Sequence, residues 1–169
     1  GCDRIIRVGT HTRDNQLYSR LKQHFVKENK NRSIFRKNIG RAFLHKEQHP
    51  YAEKWEYDTT SREGKEKYAK LLNLELEKEL EKRISTYIHE NLSFVVFEVK
   101  TKEERLFWEE RIIATLSKAA NQGEIKPSDK WLGNFSPIEK IRNSGLWLVQ
   151  GLDKEGLTED EFEKLKKLV

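Results

Sequence analysis

Arg20 and His24 stand four residues apart, the spacing that sets two side chains on one face of a helix. A guanidinium there offers a bidentate fork for a phosphate, and an imidazole beside it titrates near neutral pH. Just upstream, Arg7-Val8-Gly9-Thr10-His11 carries an arginine and a histidine on either side of a glycine turn. A second constellation lies in Trp108-Glu109-Glu110-Arg111-Ile112-Ile113. Trp108, Ile112 and Ile113 form the buried stripe of a helix, and Glu109 sits at the edge of that stripe. A carboxylate there can hold a hard divalent cation, which takes oxygen ligands and keeps several waters. Asn121 follows twelve residues later. Taken singly, each piece also reads as an ordinary solvated helix face.

The elements that must position these residues are legible in outline. Arg4-Ile5-Ile6-Arg7-Val8 is a β-branched run ended by Gly9 and predicts a strand entering a turn. Asn15 predicts the N-cap of a helix carrying Leu17, Leu21 and Phe25. Ser33 caps a second helix through Ile34, Phe35, Ile39 and Phe43, which His49-Pro50 stops. Residues 51–70 are polar apart from Trp55, Tyr57 and Tyr68, and predict an insertion or mobile excursion. Residues 71–89 predict a long charged helix on Leu72, Leu76, Leu80 and Ile84. Ser93-Phe94-Val95-Val96-Phe97-Glu98-Val99 is the clearest strand, expected at the centre of a sheet. Residues 102–118 predict another helix, with Leu106, Ile112, Ile113 and Leu116 facing inward. Residues 123–152 are loop-rich, and Thr158 with Glu161 predicts a capping box for a last short helix. Two strands make a marginal sheet, so a third is expected.

At 169 residues and 20.1 kDa the chain is the size of one domain with a small appendage. Charged residues make up 36%, yet four Trp, five Tyr and eight Phe suffice for a modest core. No stretch approaches the roughly 18 apolar residues of a membrane span. The single cysteine, Cys2, excludes an internal disulfide and a multi-cysteine zinc site, and points to a reducing cytoplasm. Residues 1–50 hold 12 Lys+Arg against 4 Asp+Glu, whereas the remainder is close to neutral. A basic first third on such a body is the footprint of a polyanion-binding face. Methionine is absent, even at position 1, so the chain is expected to begin inside a longer one.

In order along the chain these pieces resemble the GIY-YIG nuclease family: Arg7-Val8-Gly9 at the YIG element, Leu17-x-x-Arg20-Leu21-x-x-His24, the Ser93–Val99 strand, then Glu109-x-x-Ile112-Ile113 and Asn121. The ordered set is far more specific than any member alone. Residues 33–40 also resemble a helix of a bacterial subgroup, whose C-terminal extension is similar to Trp131-Leu132-Gly133 and Ser144-Gly145-Leu146-Trp147. The resemblance implies an α+β (α/β) fold, a small three-stranded antiparallel sheet flanked by helices. The core would span residues 1–122, with an insertion at 50–70 and a long helix at 71–90; residues 123–169 would form a loop-rich helical extension packed on it.

The activity implied is metal-dependent hydrolysis of DNA phosphodiester bonds. Carried over by position, Glu109 would ligate one Mg²⁺ or Mn²⁺, Arg20 would neutralise charge on the phosphate, and His24 would serve as phosphate ligand or proton shuttle. Asn121 would order the metal side, and His11 is an additional site residue. Arg13, Lys22, Arg36, Lys37 and Arg41 are the expected DNA contacts, and one site per chain suggests a dimer on DNA or two successive nicks. The first GIY strand, with its tyrosine, is expected upstream of Gly1, making Gly1-Cys2-Asp3 a hairpin tip. Arg7 occupies the second tyrosine position and cannot act as a general base. Proton abstraction then falls to the upstream tyrosine or to His11. The alternative is a non-catalytic DNA-binding module on the same fold, and a third, weaker reading is a protein-interaction domain whose basic face is incidental. His45 and His49 have helical zinc-clip spacing without a third ligand, and Trp131 and Trp147 read as anchors rather than as base-stacking platforms.

Overall fold

The computed structural model describes residues 3–169; Cys2 and most of the expected hairpin tip lie outside the described residues. The chain divides into two compact units. A split unit gathers the N-terminal segment through Tyr18 with Phe94–Asn134 and Ile138–Val169, and a helical unit comprises Ser19–Ser93 with Phe135–Pro137. Charge is partitioned sharply: 17 of the 33 Lys+Arg and 12 of the 28 Asp+Glu fall in the helical unit. That unit therefore carries the chain's whole net charge of +5.

Helix α1 (Leu17–Leu21) leads into a single π turn, Lys22–Val26, closed by the Lys27 N–H on the Lys22 carbonyl at 2.8 Å. Helix α2 (Ile34–Lys46) starts as its cap predicts, with Ser33 Oγ accepting the Arg36 N–H at 3.2 Å. Helix α3 (Arg62–Tyr68) follows Ser61, and α4 (Leu74–Asn91) follows Asn73, each capped the same way. Phe35, Ile39, Leu44, Trp55, Leu80, Ile84 and Ile88 are the buried apolar residues of this unit that matter most. The excursion expected over residues 51–70 is tied down at its start by Trp55, which is fully buried and donates its indole N–H to the Lys37 carbonyl at 3.0 Å. Gly40 makes that possible, because a Cβ there would lie 2.4 Å from the Trp55 ring.

In the split unit, α5 (Lys102–Asn121) begins with a Thr101/Glu104 capping box. Helix α6 (Glu139–Ser144) ends at Gly145, whose φ of 66° is the left-handed C-terminal stop that favours glycine. Helix α7 (Glu159–Leu165) has the predicted Thr158/Glu161 box. Ile113, Leu146 and Leu152 form the core cluster, with Val8, Leu116 and Leu148 packed on it.

The expected three-stranded antiparallel sheet is not formed. Among the described residues none is in a strand, and the architecture is helices joined by 3₁₀ turns and irregular segments. β-Branched runs favour extended backbone, but a strand exists only where a second segment meets its N–H and C=O groups at ladder spacing. Here those groups are met otherwise. The Ile6 carbonyl takes the Trp147 N–H at 2.7 Å, and the carbonyls of Val99 and Lys100 take the Arg105 guanidinium. Phe94, Val95 and Val96, read as a central strand, are exposed, Val95 to 80%. Among the described residues no helix is long and apolar enough to cross a membrane.

Candidate active site

The carboxylate of Glu109 is placed by α5, a helix fixed at its start by the Thr101/Glu104 box and on its inner face by Ile113 and Ala114. Glu109 Oε1 accepts the Thr10 N–H at 3.0 Å, which ties the helix to the turn after Gly9. Oε1 and the Arg7 guanidinium each lie 3.9 Å from the point where a side chain on Gly9 would begin. The turn, residues 95–100 and the α5 face carrying Arg105, Trp108, Glu109 and Ile112 line an open cavity of about 540 Å³. Its walls are largely apolar, and Glu109, His11 and Arg105 bring polar groups to it.

His11 is held in one tautomer. Its Nδ1 lies 2.7 Å from the Arg13 carbonyl. A carbonyl oxygen only accepts, so Nδ1 carries the proton and Nε2 of the neutral ring keeps its lone pair. Arg7 donates from Nη1 to the Trp147 carbonyl at 3.2 Å, and Arg4 donates to the Gly145 carbonyl at 2.6 Å while lying 5.1 Å from the centre of the Trp131 ring. Trp131 and Trp147 are accordingly buried anchors, 5.2 Å apart edge to face.

Asn121 is not near Glu109. Both lie on the continuous α5, and twelve residues at helical rise separate them by about 18 Å along the axis.

Arg20 and His24 belong to the helical unit. The single α-helix expected across them changes to a π turn at Lys22. Arg20 donates to Gln23 Oε1 at 3.1 Å. His24 is only 8% exposed, with Nδ1 2.8 Å from Ser33 Oγ and its ring edge-on to Phe35 at 5.8 Å.

The expected DNA contacts are placed very differently from one another. Arg13 and Lys22 are exposed. Lys37 and Arg41 both face Glu56, Arg41 through two hydrogen bonds of 2.7 and 2.5 Å. Arg36 is a correction to the sequence reading. It is 0% exposed, with Nε on Glu81 Oε2 at 2.8 Å and Nη2 on the Glu81 carbonyl and Ser85 Oγ at 2.9 and 2.8 Å. Burial acts to raise the Glu81 carboxyl above its ordinary range, and it outweighs the Arg36 charge that pulls it down. The buried Lys30, paired with Glu77 at 3.4 Å, has its ammonium pKa lowered, chiefly by burial. Buried ion pairs of this kind have no local sequence signature, because the partners are 45 or more residues apart.

Sequence reasoning does not single out Arg105. It is the only arginine in the turn of α5 preceding Glu109, and that i, i+4 relation is the signal that could find it.

A family model described as the GIY-YIG domain matches residues 2–169. No curated protein and no solved structure matches the chain.

Proposed function

The chain belongs to the GIY-YIG domain family, a family of nucleases, and from that premise we propose that it is a metal-dependent endonuclease hydrolysing DNA phosphodiester bonds through one site per chain. The observation that carries this reading is the Glu109 carboxylate bonded to the Thr10 N–H beside Gly9, with His11 lining the same cavity. Among the described residues no three His, Cys, Asp or Glu side chains gather into a cage. A lone carboxylate suits Mg²⁺ or Mn²⁺, which bind through one or two carboxylates together with waters and substrate phosphates. Glu109 would hold that ion, whose chemistry when bound is Lewis-acid polarisation of the phosphoryl group and charge for the leaving oxygen.

The chain's own residues divide the remaining work. The Thr10 N–H holds the Glu109 carboxylate in one orientation. His11 Nε2, with its lone pair fixed by the Nδ1–H bond to Arg13, accepts the proton of the attacking water. Arg7 stays cationic and contributes fixed charge near Glu109. Arg20 neutralises phosphate charge. His24, buried against Ser33 and Phe35, braces the π turn that follows Arg20 and does not shuttle protons. Asn121 is given no part at the metal. Arg13 and Lys22 contact the DNA backbone, Lys37 and Arg41 contribute where Glu56 lets them go, and binding weakens as salt rises. The enzyme works in the cytoplasm, and cutting both strands takes two chains or two successive nicks.

A second reading, DNA binding without cleavage, is favoured by Arg7 at the second-tyrosine position and its commitment to the Trp147 carbonyl. Plasmid cleavage at graded Mg²⁺ and Mn²⁺, wild type beside Glu109→Ala, separates the two. Nicking should disappear in the variant by on the order of 10³-fold, several kcal/mol of transition-state stabilisation, with fold and DNA affinity kept. Equal nicking would end the assignment of Glu109. Salt-sensitive binding with no cleavage under either ion would establish the binding module.

A further inference from the structure

Arg105 has four acceptors drawn from two segments of the split unit. Nε donates to the His11 carbonyl at 3.3 Å, Nη1 to the carbonyls of Lys100 and Val99 at 3.1 and 3.4 Å, and Nη2 to Asp14 Oδ1 at 3.1 Å. Its side chain is 10% exposed, whereas Asp14 is 85% exposed; three of the four acceptors are backbone carbonyls and the fourth is a solvated carboxylate. One helical turn later on the same face, Glu109 takes the Thr10 N–H. Two side chains of α5 therefore hold consecutive residues of one turn: Glu109 by the N–H of Thr10, Arg105 by the C=O of His11. The Arg105 bond holds the His11–Thr12 peptide plane, on which the His11 ring is mounted, and the Glu109 bond holds the Gly9–Thr10 plane just upstream. No ladder joins the turn to residues 99–100 among the described residues, and the guanidinium bridges the two.

We propose that Arg105 is a positioning residue of this site, setting where the His11 imidazole stands relative to the Glu109 carboxylate. Only a planar guanidinium can serve these acceptors together; an ammonium would keep Asp14 and lose the fork. Reactive groups displaced by about 1 Å can lose about 10²-fold in rate, so the effect belongs in kcat and not in DNA affinity. The activity arm of the inference rests on the nuclease reading, and the spectroscopic arm rests on the geometry alone.

The test uses ¹⁵N-histidine NMR and plasmid-nicking kinetics on wild type, Arg105→Ala, Arg105→Lys and, as a control on the same helix, Arg111→Ala. His11 is assigned by loss of its signals in His11→Gln. Wild type should show the Nδ1-protonated ring. Both Arg105 variants should lose that signature and about 10²-fold in kcat, with KM for DNA within about twofold. Arg111→Ala, which removes contacts to Glu155 and the Gly156 carbonyl, should change neither. An unchanged His11 signature in Arg105→Ala overturns the inference whatever the activity does. Equal loss in Arg111→Ala overturns it too, by showing that α5 stability is all that is being read. A wild type that never nicks, with a His11 ring that still depends on Arg105, removes the nuclease reading and leaves the positioning role standing.

Discussion

Arginines in the two units are matched to different kinds of partner. In the helical unit they meet carboxylates: Arg36 with Glu81, Arg41 with Glu56, Arg83 with Glu47. In the split unit three arginines meet main-chain carbonyls: Arg4 with Gly145, Arg7 with Trp147, Arg105 with His11, Val99 and Lys100. The difference follows from the backbone. A helix satisfies most of its own carbonyls, so cations packed on helices pair mainly with side chains, although Arg36 also donates to the Glu81 and His24 carbonyls. Segments without a ladder leave carbonyls needing donors, and a guanidinium with five N–H groups meets that need from one side chain. Arginine thus acts mainly as a charge partner in one unit, while in the other Arg4, Arg7 and Arg105 chiefly serve backbone carbonyls, with Arg105 also pairing with Asp14 and Arg111 with Glu155.

That contrast can be broken most decisively at Arg36. Arg36→Ala leaves a buried carboxylate at Glu81 without its cation and should destabilise the helical unit by about 3–5 kcal/mol. Arg36→Met with Glu81→Leu should recover much of the loss, as chemical denaturation would record. Similar costs for the single and double variants would show that packing, and not charge compensation, dominates there. A smaller effect is expected at Gly40, where the added methyl of Gly40→Ala meets the Trp55 ring and should cost about 1–3 kcal/mol. Segment-resolved hydrogen exchange should show that loss confined to residues 19–93.

The smallest effect is a difference in acid response. Glu47 is held below the usual carboxylate range by the Arg83 hydrogen bond. Burial acts to raise Glu56, but Arg41 and Lys37 outweigh it and its pKa is lowered as well. The folded state keeps both ionised to lower pH than the unfolded chain does. Their stabilisation is therefore full above about pH 4.5 and is lost as pH falls through their lowered values. Arg83→Ala and Arg41→Ala should flatten that acid limb, since each pair is surface-exposed and worth under about 1 kcal/mol. Hydrogen exchange followed against pH should place the limb in the helical unit, and a limb of equal size that survives both variants would assign it to other carboxylates.

Parts of the site are legible in residue type and order alone. Gly9, His11 and Glu109 stand out that way, and they do meet around one cavity. Arg20 and His24 stand out by spacing, but His24 is buried against Ser33 and Phe35, partners that a helical spacing does not reveal. Asn121 stands out by its distance in sequence from Glu109, which a continuous helix converts into separation in space. Arg36 reads as one more member of a basic face. Nothing local distinguishes it from Lys37, because its burial depends on Glu81.

What the sequence alone determined is what acts within one helical turn. Ser33, and Thr158 with Glu161, start their helices where their side chains can reach the N–H three residues on. Thr101 with Glu104 follows the same rule, a signal present in the sequence. Only the tertiary structure decided the fate of Arg4–Val8 and Ser93–Val99. A strand's hydrogen bonds come from another segment, so β-branched composition favours an extended backbone and cannot supply its partner. Arg105 took the Val99 carbonyl and the Trp147 N–H took the Ile6 carbonyl instead, and residues of both segments line the cavity that Glu109 and His11 share.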